Sequence, residues 1–229
     1  SDAIDLVTEA RRLGYDAIGI ADVNTLAGIV RLHTEAEAAQ LRPVIGCRIE
    51  TVEGLTFLAY PSDRAAYGRL CSLISAGRMA RLDGTWQSKG VCEIDIAMLA
   101  EHTEGLQLVV VPPRDLDQSF TLDIESNIVV FPGQDQESFA QDFHSRSVPF
   151  PQLIPLLVNR LPTLGYLAAS YLHSGDDIIR IERLAKLAHT YGLALLAAND
   201  VLYSVAERRP LQDVMTAIRH KTTVAAAGL

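Results

Sequence analysis

Cysteine is scarce and poorly placed for bridging: the 229 residues hold only Cys47, Cys71 and Cys92. An odd number with no paired metal-ligand spacing argues against a disulfide framework and a cysteine-built zinc site, and each thiol reads as a small buried apolar side chain. That usage suits a reducing compartment, so a cytoplasmic location is expected. Basic charge is also in deficit, with 20 Lys and Arg against 28 Asp and Glu and a formal net charge of −8. A domain of that sign gains nothing from the general attraction of phosphate backbones for cationic surfaces. No apolar run reaches the roughly 18 residues that a membrane-spanning helix needs, so no membrane partner is expected. A phosphate-cradling Gly-rich loop, a Gly-x-Ser-x-Gly nucleophile elbow and the carboxylate triad of a polymerase palm are missing too.

What is present is an ordinary globular composition, 48% hydrophobic, in a chain long enough for one large α/β domain or two small ones. Ile4, Leu6, Val7, Ala10 and Leu13 form a helical stripe stopped by Gly14, and Tyr15 to Ala21 reads as the first strand. Thr25 is a plausible N-cap for a helix from Leu26 to Gln40. Strands are predicted at Pro43 to Glu50 and Leu55 to Tyr60, the second antiparallel because only Glu53-Gly54 turns the chain. A helix capped by Ser62 or Asp63 runs to Ala80, a loop spans Arg81 to Val91, and a short helix spans Asp95 to His102. Leu106 to Val111 is a buried strand ended by Pro112-Pro113. Residues 114–149 carry weak patterning, one strand at Asn127 to Phe131 and a helical stretch at Glu137 to Phe143, and read as a surface insertion or a partly disordered stretch. Helices at Gln152 to Leu161, Ile178 to Tyr191 and Arg209 to His220 then alternate with strands at Gly165 to Tyr171 and Leu193 to Ala198. This alternation predicts a barrel or another wrapped α/β sheet.

In such folds ligands gather at the carboxyl ends of strands, which singles out Asp22 and the pair Asn199-Asp200. Both aspartates equally suit a turn or helix-cap role. His33, His102, His144, His173, His189 and His220 are scattered without a pair on one helix face, and His173 alone follows a strand and can line a strand-end pocket. Arg208-Arg209 with Arg219-His220-Lys221 forms a basic cluster that reads as a solvated helix face or a contact for DNA or a partner domain. Trp86, on a Gly-flanked loop, is either an interaction anchor or packed on its own domain.

The landmarks from Leu6 to Cys47, including LGYDAIGIADVN and RPVIGC, resemble the amino-terminal polymerase-and-histidinol-phosphatase (PHP) domain of bacterial DNA polymerase III alpha subunits. Ala66 to Ser75 is similar to that family's "GY-NL-RLIS" helix and Leu195 to Tyr203 to its "VATNDVHY". Arg208 to Arg219 resembles the helix that follows, in the form seen in the error-prone branch. The resemblance implies a distorted (β/α)7 barrel whose active members are phosphoesterases holding up to three Mn, Fe, Zn or Mg ions through His, Asp and Glu at the strand ends. It further implies that residues 1–229 are one PHP-like domain with an insertion at about 114–149, cut from a longer polymerase chain. The family's first strand, with its His-x-His pair, does not precede the first helix here. Aspartates persist at two ligand positions, Asp22 and Asp200, but Val23 and Leu202 stand for histidines and Arg48 for a glutamate, with Glu50 two residues further on. Valine and leucine have no lone pair for a metal and an arginine cation repels one. No intact catalytic site and no cofactor are therefore expected, and the charge reversal suggests Arg48 as a salt-bridge partner of Asp22 or Asp200 in place of the metal. The expected partners are the polymerase core of the same chain, through which DNA is reached, and other replication or repair proteins. The alternative is a metal-dependent phosphoesterase using Asp22, Asp200 and Glu50 or His173.

Overall fold

A computed structural model of the protein describes residues 3–123, 129–130, 145–198, 205–219 and 221–226. Helix α1 (Ala3–Arg12) leads into strand β1 (Ala17–Val23), helix α2 (Ile29–Ala38), strands β2 (Arg42–Glu50) and β3 (Thr56–Pro61), and helix α3 (Arg64–Met79). The short helix α4 (Ile96–Glu101) and strand β4 (Leu106–Val111) follow, then β5 (Ser119–Asp123), β6 (Val129–Val130) and β7 (Ser145–Pro149). Helix α5 (Phe150–Arg160), β8 (Leu164–Ala169), α6 (Asp177–Thr190), β9 (Ala194–Ala197), a 3-10 turn (Ala206–Arg208) and α7 (Arg209–Arg219) complete the described elements. Six strands form one sheet in the order β1-β2-β3-β4-β8-β9, and β6-β5-β7 form a second. The large sheet is mixed: β2, β3 and β4 pair antiparallel, whereas β4, β8 and β9 pair parallel. The antiparallel return of β3 follows from its short connection, which leaves no length for a crossover.

The chain gathers into two compact units, one made of residues 1–20, 27–45 and 199–229 and the other of 21–26 and 46–198. In the first, α1 presents Val7 and Ala10 and α2 presents Leu32 and Ala36, three- and four-residue spacings that set each pair on one helix face. Leu41 joins this cluster, and Asp5 meets Arg208 at 2.8 Å. In the second, Cys47, Ile49, Phe57, Ala59, Leu108 and Val110 are all fully buried. Their register explains why: Cys47 faces Ala59, Ile49 faces Phe57, and these face Leu108 and Val110 in turn, so one side of three strands is a continuous apolar surface. Helix α3 contributes Ala66, Leu70 and Leu73 to the same core. Asp63 caps it, accepting the Ala66 N–H at 2.7 Å.

Three local expectations are corrected. Helix α2 begins at Ile29 with Gly28 at its N-cap position and no side-chain cap bond, so Thr25 does not cap it. Strand β1 runs from Ala17 to Val23 and thus begins later and ends later than predicted. In the stretch expected to hold one strand, Ser119–Asp123 and Ser145–Pro149 pair antiparallel with Phe120 opposite Val148, and Val129 joins across Leu122. The helical stretch expected at Glu137 to Phe143 lies outside the described residues.

Backbones approach closely where the chain before α4 crosses α3. A Cβ on Gly77 would lie 2.7 Å from the Glu93 carbonyl oxygen and 2.7 Å from Ile94 Cγ1, and the Glu93 N–H already donates to the Gly77 carbonyl at 2.9 Å. Gly77→Ala is expected to lower unfolding stability by about 1–3 kcal/mol, overpacking outweighing the better helix propensity of alanine. Chemical denaturation measures this, and an unchanged or higher midpoint would contradict the packing argument.

Candidate functional site

Asn24 follows the carboxyl end of β1 and organises what lies there. Its φ of 47° is left-handed, a conformation asparagine tolerates better than most residues. Only 8% exposed, it must satisfy every polar group it carries. The side-chain amide donates to the Glu50 carbonyl at 3.1 Å and accepts the Glu50 N–H at 3.0 Å. The Asn24 N–H donates to the Arg48 carbonyl at 2.8 Å. Arg78, at the end of α3, places Nε and Nη2 on the Asn24 carbonyl at 3.1 and 2.9 Å. The turn is thereby tied to β2 and to α3.

The alternation of β2 sorts the neighbouring side chains. Cys47 and Ile49 go into the core, and Arg48 and Glu50 share the opposite face, where Arg48 Nε lies 3.1 Å from Glu50 Oε1. The Cys47 thiol donates toward the carbonyls of Asp22 and Thr25 at 3.3 and 3.5 Å. Burial pushes its pKa up to about 12, so it is a neutral thiol at pH 7 and offers a metal no thiolate. Glu53 is 8% exposed and accepts the Ile96 N–H through Oε1 at 2.9 Å. Burial holds its carboxyl above the usual range, against the opposing effect of that N–H.

The residues singled out from sequence are placed as follows. Asp22 is half-buried at the end of β1, and Val23 beside it is 47% exposed. Arg48 meets Glu50, which puts a guanidinium on the carboxylate that the phosphoesterase alternative needs as a ligand. His173 sits in a left-handed conformation, φ 56°, exposed, its ring 5.4 Å from that of Tyr171. Its loop is folded around Asp177 instead, whose carboxylate accepts the N–H groups of Leu172 at 2.5 Å and Ser174 at 3.1 Å. Burial raises the Asp177 pKa, but these backbone bonds outweigh it and hold the carboxyl below its ordinary value. Asp200 and Leu202 lie outside the described residues, as do His144 and His220. Among the described residues no three His, Cys, Asp or Glu side chains are grouped as a metal ion would require, so the described donor set does not fit a multinuclear centre.

A cavity of about 250 Å³ lies at the ends of β2 and β4, lined among others by Arg48, Thr56, Val111, Arg114, Gln118 and Phe120. Arg180, 7% exposed, braces the segment after β4 by donating to the carbonyls of Pro113 at 2.8 Å and Arg114 at 3.3 Å. Asn24, Glu53, Asp177 and Arg180 were not singled out from sequence. Asn24 alone left a local signal, an asparagine in a turn, where left-handed backbone is common.

The mixed α/β sheet is consistent with a distorted (β/α) barrel, and comparison with known proteins narrows the class. The PHP domain family matches residues 2–137, more than half of the chain, and the chain belongs to that family. It is 39% identical over 233 residues to an error-prone DNA polymerase of Bradyrhizobium diazoefficiens and 36% identical over 229 residues to one of Caulobacter vibrioides, in both cases across 100% of this chain. The chain spans 18% of the length of these curated relatives. Among solved structures it is similar to a Bifidobacterium adolescentis protein whose description as a metal-dependent phosphoesterase is itself provisional. That likeness has a TM-score of 0.54 at 16% identity and covers 87% of this chain and 82% of the other; it speaks to the fold alone. No described helix is long and apolar enough to cross a membrane.

Asn24→Ala removes two side-chain bonds to Glu50 and leaves that strand's N–H and carbonyl unmet, an expected loss of about 2–4 kcal/mol. Urea titration reads it, and a loss under about 0.5 kcal/mol would show the clamp to be dispensable. Glu53 binds its proton more tightly folded than unfolded, so its contribution is fully present below the ordinary value of 4.5 and is lost as pH rises through the raised folded value. Glu53→Gln is therefore expected to be more stable than the unaltered protein at pH 7, with the advantage fading as pH falls through the raised folded value and gone below 4.5. A pH-independent difference between the two would refute this.

Proposed function

We propose that this chain is the amino-terminal PHP domain of an error-prone DNA polymerase of the polymerase III alpha class, with its metal site degenerate and its role structural. The observation that carries the reading is the 39% identity to such a polymerase across the whole of this chain, combined with Val23 and Arg48 at positions where the resembling family has a histidine and a glutamate. Residues 1–229 then form a single PHP-like domain with an insertion at about 114–149, and the domain supports the polymerase core of the same chain. Synthesis of DNA in cytoplasmic replication and repair belongs to that core, which meets DNA directly and other replication or repair proteins in turn. Asp22 and Asp200 are remnants of ligand positions in this reading. The alternative, a metal-dependent phosphoesterase with Asp22, Asp200 and Glu50 or His173 as ligands, is weakened by the exposure of His173, whose ring lies tilted against Tyr171, and by the Arg48–Glu50 ion pair.

Metal analysis of the purified protein separates the two. The structural reading expects no stoichiometric Mn, Fe, Zn or Mg and no hydrolysis of p-nitrophenyl phosphate above the buffer rate. About two or three ions per chain, with metal-dependent hydrolysis, would establish the phosphoesterase instead.

A further inference from the structure

Helix α7 (Arg209–Arg219) carries an apolar stripe that the described residues leave open. Leu211, Val214, Met215 and Ile218 are 57%, 45%, 51% and 65% exposed. Their i, i+3, i+4, i+7 spacing confines them to about 100° of the helix circumference, the width of a face that ordinarily packs on a core. Ala217 lies to one side of the stripe and is buried. The polar side chains pair with one another on the opposite flank, Arg209 with Asp213 at 3.9 Å and Gln212 with Thr216 at 3.3 Å. We propose that this stripe is the docking surface for the part of the polypeptide that follows residue 229, the polymerase portion on the reading given above.

This role rests on that reading, and three observations single out the occupant. The chain spans 18% of the length of its curated relatives, so on that reading the polypeptide continues well past residue 229. The stripe lies close to that continuation, with Ile218 eleven residues before Leu229. A segment tethered so near is presented at high effective concentration and needs no separate association step. The helix is also finished by its own bonds. Lys221, left-handed at φ 51°, donates its N–H to the Ile218 carbonyl at 3.1 Å, and the Thr222 N–H donates to the Ala217 carbonyl at 2.9 Å. These are the two bonds of a Schellman end, so the stripe is formed before anything covers it and the chain is turned where the stripe stops. Finally, the stripe is small. Four side chains fall well short of the roughly 20–30 residues a side in a free-standing specific interface, and a net charge of −8 sets copies of this chain against one another. A tethered neighbour needs far less surface than a second copy. The anchor spacing suits an apolar groove or a facing helix on that neighbour.

Peroxide footprinting of the intact parent chain, read peptide by peptide in a mass spectrometer, tests this on Met215. Oxidation of Met215 is expected to be about tenfold or more slower in the native parent chain than in the same chain denatured in guanidinium chloride. Val214→Glu and Ile218→Glu, both at exposed positions that leave the domain's own core untouched, are expected to bring the native rate to within about threefold of the denatured one. Val30→Glu, on the exposed side of α2, is expected to leave Met215 protected. Three results overturn the assignment: Met215 oxidised as fast in the native parent chain as in the denatured one, protection that both stripe variants leave unchanged, or protection lost on dilution as sedimentation shows a dimer giving way to monomer. The last makes a second copy the occupant. All three leave the polymerase reading standing, whereas a coding sequence that stops near residue 229 overturns that reading and this docking surface together.

Discussion

The paired hydrogen bonds between the Asn24 side chain and the Glu50 backbone are the constraint on which the strand-end region depends. A side-chain amide carries the same donor and acceptor as a peptide unit, so Asn24 can stand in for one more residue of a β-ladder while its own backbone turns away. The left-handed φ of 47° makes this turn possible, and burial makes the five bonds to its polar groups obligatory. Once Glu50 is held, the phase of β2 is set. Cys47 and Ile49 must enter the core, and Arg48 and Glu50 must face the other way. A slip of one residue would bury a guanidinium in the surface formed by Phe57, Ala59, Leu108 and Val110.

The same phase decides what chemistry the region can hold. Inward, the residue at the strand end is a thiol whose pKa burial has pushed to about 12, a neutral packing group. Outward, the cation of Arg48 is balanced at 3.1 Å by Glu50. A cluster of divalent ions needs converging lone pairs and net negative charge; here the carboxylate nearest the end of β2 is already committed to a guanidinium.

Much of the frame was legible in the sequence. Apolar runs such as Leu106–Val111 announce buried strands by composition alone, and a short connection dictates that β3 returns antiparallel. The small sheet was hidden because its strands do not carry that signature: Ser145-Arg146-Ser147 is polar, and the strand exists only through its partner Ser119–Asp123, some twenty residues back. At the site, side-chain types were readable and geometry was not. Val23 and Arg48 declare themselves by what they cannot do. Asn24 takes its meaning from a backbone 26 residues away, and His173, which follows a strand as a pocket residue should, is turned outward because Asp177 gathers the loop's N–H groups around itself.

A buried turn left with unmet polar groups would open. At the strand-end turn those groups are met by side chains of the protein. Asn24 meets β2 with its side chain and Arg78 meets the Asn24 carbonyl with a charged fork, so each buried group has a covalently tethered partner that needs no metal. Charge-assisted bonds of this kind are about twice as strong as neutral ones and do not depend on metal supply. Asn24 thus ties the end of β1 to β2 and to α3 through bonds that the chain itself supplies.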